Sequence, residues 1–193
     1  MSRPVSIREG NLVWSGEHWI NALRFEDAED YAAWISLFQT RYSPVGEGTA
    51  AQLYIPEAKL NVVCADHEDV GKFTIDQFFS STKDIKPSEE VVRAQFRYSG
   101  DIRRNPAWTI ESDYFCVVAH WRITDPPVIT EGTFRSGTEH FTLLFFTDEA
   151  SVECNGKKID GQPFKRDVWQ SSIGDWRSSC LFALSETMIE LPN

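Results

Sequence analysis

The chain has 193 residues, 41% apolar and 25% charged, with a formal net charge of −10. That length suits one domain whose core needs no disulfide or structural metal to form. The acidic balance, with no basic run beyond pairs such as Arg103-Arg104 and Lys157-Lys158, excludes the footprint that nucleic acid or an anionic membrane requires.

Seven Trp and thirteen Phe are many for this length and point to an aromatic-rich core or pocket. Cys64, Cys116, Cys154 and Cys180 form no C-x-x-C pair, and Met1-Ser2-Arg3-Pro4-Val5 lacks the apolar stretch of a secretory signal. The thiols therefore read as reduced and the compartment as cytoplasmic. Apolar runs such as 143–146 fall far short of the ~20 residues that span a bilayer.

In chain order, residues 18–25 are extended in character, and Asp27 is placed to cap a helix with Ala28, Tyr31, Ala32, Ile35 and Phe38 on one face. Residues 60–65 (LNVVCA) predict a buried strand, after which Asp66 caps a second helix that turns Val70, Phe73 and Phe78 inward. The segments E-D-Y-A-A-W at Glu29 and E-D-V-G-K-F at Glu68 align, which is compatible with a duplication or with the acidic first turns that any helix dipole favours. Residues 42–49 read as a connector, since their G-x-G lacks the third glycine and the preceding strand of a dinucleotide loop. The polar stretch 80–90 marks a crossing into the second half.

From residue 91 the apolar period becomes two. Runs at 91–99, 108–124, 128–135, 139–147, 151–154, 157–160, 163–170 and 179–190 alternate β-branched or aromatic residues with polar ones. Turn chemistry separates them at Asp125-Pro126-Pro127, Ser136-Gly137, Asn155-Gly156 and Asp160-Gly161, and Asn-Gly specifies a type I′ hairpin. The pattern is similar to calycin-like and other small up-and-down barrels, in architecture alone. The expectation is a single α+β domain over 1–193. Residues 91–190 form an antiparallel β-meander closed into a barrel or half-barrel, and a strand-helix-strand-helix region at 1–85 packs against it.

Candidate chemistry follows from which strand faces carry polar groups. Along 114–123, Val117, Ala119 and Trp121 belong to a pure core face, whereas His120 and Arg122 share a mixed one. Glu139 and His140 are sequence neighbours and point to opposite faces, so only one of them can reach the interior. In the last strand Glu186 alternates with Cys180, Phe182, Leu184 and Met188, company in which a carboxylate is either paired or titrates upward. His120, His140 and Glu186 are thus the candidate acid-base residues, and a wet surface position is the competing reading of each. Tyr98, Trp121, Trp169 and Phe182 are candidate walls of a ligand site. Asp101 and Arg177, in loops that end strands, either grip a ligand or simply close the barrel end as ion pairs. The histidines at 18, 67, 120 and 140 lack ligand spacing, so neither a metal nor a cofactor is called for.

Two functions are compatible with this. One is a small-molecule binding barrel that carries or acts on a hydrophobic or aromatic ligand, with cofactor-independent acid-base chemistry of the isomerase, cyclase or lyase type if it is an enzyme. The other is a non-catalytic interaction or scaffold protein, a homodimer, whose aromatics only fill a core and a dimer face.

Overall fold

The computed structural model describes residues 9–26, 28–81, 85–123, 125–133 and 138–192. Its first half holds a strand where the helix at 28–38 is expected. β1 (Asn11–Arg24) and β2 (Tyr31–Tyr42) pair antiparallel over their length. Residues 32–38 are buried without a break. A strand covered on both faces reads as a continuous apolar run, and such a run contains a helical spacing as readily as a strand one. The expected cap, Asp27, lies outside the described residues.

β3 (Gly48–Ile55) and β4 (Leu60–Ala65) extend the sheet antiparallel. The second expected helix is present as α1 (Glu68–Gln77) with Val70 buried, and it crosses over to β5 (Val91–Arg93), parallel to β4. Asp66 does not cap it; its Oδ1 accepts the Thr49 N–H at 2.8 Å. One E-D segment therefore enters a strand and the other a helix, which removes the duplication.

The second half is not a sequential meander. β6 (Gln95–Ser99), β7 (Ala107–Glu111) and β8 (Cys116–Arg122) build a second sheet. The chain then changes layers: β9 (Val128–Thr133) and β10 (Thr138–Phe146) join the first sheet, and β11 (Glu149–Cys154) and β12 (Lys157–Lys158) return to the second. The Asn155-Gly156 turn is as expected, with both residues at positive φ. The Ser136-Gly137 turn lies outside the described residues. The expected strand 163–170 is replaced by β13 (Lys165–Arg166) and α2 (Asp167–Ile173), followed by β14 (Arg177–Ser178), because Trp169 and Ile173 stack four apart on one face. β15 (Leu181–Glu190) ends the chain between β1 and β10.

The result is mostly β rather than α+β. An eight-stranded sheet in the order β5-β4-β3-β2-β1-β15-β10-β9 packs on a five-stranded sheet β12-β11-β8-β7-β6. Both sheets are open, and no closed barrel is found among the described residues. The small sheet, not a pair of helices, is the layer on the inner face of the large one. α1 and the Phe164–Trp169–Ile173 side chains cover parts of the outer face.

The space between the sheets is solid. Phe182 lies between Trp19, at 4.2 Å, and Phe145, at 4.9 Å, and the Trp121 ring meets Trp19 edge-on at 5.3 Å. Trp19, Trp121 and Phe182 are buried, so the hollow expected of a barrel is filled by rings. Polar ties cross the gap: Trp121 Nε1 donates to Ile20 O at 2.8 Å, and Asn21 Nδ2 donates to His120 O at 3.0 Å and Ser151 O at 3.3 Å.

Asn21→Ala removes both donors from a buried junction and should cost about 1–3 kcal/mol in urea unfolding with the m-value unchanged. Arg122→Ala, whose exposed ion pair with Glu149 is worth little, should stay within about 0.5 kcal/mol of the parent. Equal stability of the two variants would show that the Asn21 bridge contributes nothing.

Candidate functional site

One extra residue in β15 decides where its carboxylate points. Ala183 pairs with His18 and Glu186 with Gly16, so β15 uses two residues where β1 uses one, and Ser185 takes φ 58° there. A bulge of this kind shifts the side-chain alternation by one. Cys180, Phe182 and Leu184 therefore face the inter-sheet core, while Glu186 and Met188 emerge on the outer face of the large sheet. Strict alternation, which puts all five on one face, fails at Ser185. Gly16, opposite Glu186, cannot carry a side chain, because a Cβ there would meet Gln39 O at 2.2 Å.

On that outer face Glu186 meets His18, a residue the sequence does not single out. His18 Nε2 lies 3.0 Å from Ser36 Oγ, and its Nδ1 lies 3.7 Å from Glu186 Oε2. The imidazole stacks on Phe38 at 3.8 Å with an interplanar angle of 17°. Gln52 pairs with Ser36 on one side, and on the other Thr142 sits opposite the bulged Ser185-Glu186 step. A polar row, Gln52–Ser36–His18–Glu186–Thr142, thus crosses five adjacent strands between two apolar clusters. Gln52 Oε1, Glu186 Oε2 and Thr142 Oγ1 are buried and make no hydrogen bond among the described residues.

Burial controls the protonation of this row. It pushes the Glu186 carboxyl up to about 7. It lowers His18 to about 3, with a smaller contribution from the Arg166 charge. The side chains of His18 and Glu186 are 21% and 13% exposed. Ser36, His18 and Glu186 share the residue types and imidazole nitrogens of a nucleophilic triad. Ser36, however, is only 5% exposed in the middle of a sheet, and an imidazole near 3 is a poor base, so attack by its hydroxyl is set aside. The chemistry open to the row is proton transfer through Glu186.

A second feature lies on the opposite, inner face where the two sheets part. A cleft of about 290 Å³ has a floor and wall of Trp19, Tyr98, Trp108, Ile102 and Leu184. The Tyr98 ring is 41% exposed there and packs edge-on against Trp108 at 5.5 Å. At the rim Glu17 Oε2 accepts Trp19 Nε1 at 3.1 Å, and Arg41 Nη2 donates to Gln39 Oε1 at 3.1 Å and lies 3.8 Å from Glu17 Oε1.

The sequence candidates do not converge on either feature. His120 is exposed on the outward face of the small sheet, as the mixed alternation of β8 implies. His140 is half-buried on β10, opposite Met188 and so diagonal to Glu186. Tyr98 lines the cleft, and Trp121 and Phe182 lie beneath it as core. Trp169 packs on Phe146 at 5.1 Å and donates Nε1 to Ser178 O at 3.1 Å, a structural role. Asp101 bonds Arg103, and Arg177 bridges Asp125 and Asp175; both are the local ion pairs that compete with ligand grip. His18 was legible only as one member of an extended segment, since its partners Ser36 and Glu186 come from a predicted helix and from beyond a bulge.

The two perturbed groups act on stability in opposite directions. The unfolded chain protonates His18 near 6.5 whereas the folded chain waits until about 3, so stability is lost as pH falls across that window. The unfolded chain releases the Glu186 proton near 4.5 whereas the folded chain keeps it to about 7, so stability is lost as pH rises between those values. Glu186→Gln removes the second slope. Its unfolding free energy from urea titration should gain on the parent from pH 5 to pH 8, reaching up to about 3 kcal/mol of advantage. A difference that does not grow with pH would mean a solvated, ionised Glu186.

Comparison with known protein families, with curated proteins and with solved structures finds no match, so the site is known by its geometry alone.

Proposed function

We propose that this protein binds a small hydrophobic or aromatic molecule in the inner-face cleft. The observation that carries the proposal is an open concavity, walled by Tyr98, Trp108 and Leu184, with one carboxylate and one guanidinium at its rim. Apolar walls with a few placed polar groups are the usual composition of a small-molecule site. The large sheet serves as a half-barrel wall to the cleft, and the ligand lies at the mouth of the inter-sheet space rather than inside it. Glu17 and Arg41 orient a polar substituent while the rings take the planar body.

His18 and Glu186 lie on the other face of the same strands, so a molecule in the cleft does not touch them. Carriage is therefore the leading reading for the cleft. Acid-base catalysis of the isomerase or lyase type is a second reading, favoured by the raised Glu186 pKa, and it places its substrate over the outer-face row. We place the protein in the cytoplasm on the strength of its four free thiols, with burial pushing that of Cys180 up to about 12. Among the described residues no helix is long and apolar enough to cross a membrane.

A panel of planar aromatic compounds tests the proposal by thermal shift and by quenching of indole fluorescence. A binder should raise stability by RT ln(1 + [L]/Kd), and Tyr98→Ala should weaken it by about 1–2 kcal/mol while Trp169→Phe does not. No shift with any compound would leave the interaction reading, a homodimer with an aromatic core, in its place.

A further inference from the structure

The outer face carries a second concavity whose chemistry is the reverse of the chain's own. A cavity of about 320 Å³ lies where the end of β1 meets β13, and Arg24, Lys165 and Arg166 all line it, with Tyr31 and Phe164. The chain as a whole has a formal net charge of −10. Three cations from two strands on one concave surface raise a local positive potential that the rest of the molecule opposes. Among the described residues the lining itself holds one carboxylate, Asp167, Asp148 lies 3.8 Å from Lys165, and the turn that joins Arg24 to Tyr31 carries Glu26, Glu29 and Asp30.

Arg24 is the informative residue. Its guanidinium lies 3.9 Å over the Phe164 ring and 5.3 Å from the Tyr31 centroid. Both rings stabilise the cation, yet neither supplies a lone pair to accept an N–H. Arg24 Nε is buried without a hydrogen-bond acceptor, and the side chain has no ion pair among the described residues. A buried donor with no acceptor is costly and calls for an occupant that supplies one. The fork of a guanidinium matches the two oxygens of a carboxylate or phosphate.

We infer that this cavity is an oxyanion-binding site, in which Arg24, its guanidinium carbon over the Phe164 and Tyr31 rings, holds the carboxylate or phosphate of a small ligand with Lys165 and Arg166 beside it. Backbone pairing fixes the geometry: Arg24 N donates to Gln162 O at 3.0 Å and Gln162 N to Arg24 O at 2.9 Å, which anchors the β13 approach to the end of β1. The site is independent of the inner-face cleft, from which it differs in face, charge and lining.

Titration of the whole chain with inorganic phosphate and, separately, with benzoate tests the inference, read by the Arg24 Nε–Hε resonance and by calorimetry at low salt. A saturable shift with either probe supports the site, and the probe that binds tighter tells phosphate from carboxylate. Arg24→Gln should weaken that binding by about tenfold or more, and Arg24→Lys, which keeps the charge but not the fork, should weaken it measurably. Arg122→Gln, an exposed arginine on the other sheet, should leave it unchanged. The Arg24 resonance is read in the parent protein, so a poorly folded variant does not remove the test. No saturable shift with either probe, or binding that survives in Arg24→Gln, overturns the inference.

Discussion

The stack of Trp19, Phe182 and Phe145 against Trp121 is the contact on which the rest of the molecule depends. Each ring is too large to tolerate a void beside it, and together they fix the separation of the two sheets. Their geometry also fixes the centre of the large sheet: β1 and β15 must be neighbours for Trp19 and Phe182 to stack at 4.2 Å. With β1 central and covered on both faces, its alternation delivers Glu17 to the inner cleft and His18 to the outer row. Both candidate features are therefore consequences of one packing decision.

The sequence showed the strands of the second half better than it showed their partners. Period-two alternation assigns the faces of β8, with Val117, Ala119 and Trp121 buried against the exposed His120 and Arg122, but it reads 108–124 as one run where the chain turns at 112–115 and pairs β7 with β8. It says nothing about which strand lies beside it, and β8 pairs with β7 and β11 rather than with β9, because the chain twice changes sheet. Hairpin chemistry is local and was readable at Asn155-Gly156. β2 was not readable as a strand, since burial of residues 32–38 on both faces erases the polar spacing that distinguishes strand from helix.

The candidate site was legible in kind and not in place. Glu186 among apolar neighbours left open a carboxyl that is paired, one that titrates upward or one that is solvated; burial does raise it, but on the outer face, away from the Cys180, Phe182 and Leu184 on which the reading rested. Its partner could not be read, since the bulge at Ser185 changes the face and Ser36 sits in a segment with helical spacing. The aromatic excess was readable as a quantity, and it divides between a solid core, the cleft wall and the packing of α2. The cation cluster at Arg24 was hidden because Arg24 and Lys165-Arg166 are more than a hundred residues apart in a chain with no long basic run.

The outer-face row also shows which protonation state a buried polar line prefers. Burial raises Glu186 to about 7 and lowers His18 to about 3, so moving the proton from the carboxyl to the imidazole is uphill. A 3.7 Å contact in a partly buried site does not recover that, because two desolvated charges cost more than their attraction returns. The pair is therefore uncharged between about pH 3 and about pH 7, and there the hydroxyls and amide of Ser36, Thr142 and Gln52 complete an uncharged line between two apolar clusters. Above about 7 the carboxylate ionises with no counter-charge on His18, and the orphaned Glu186 Oε2 then has the strongest claim in the row on any donor that enters.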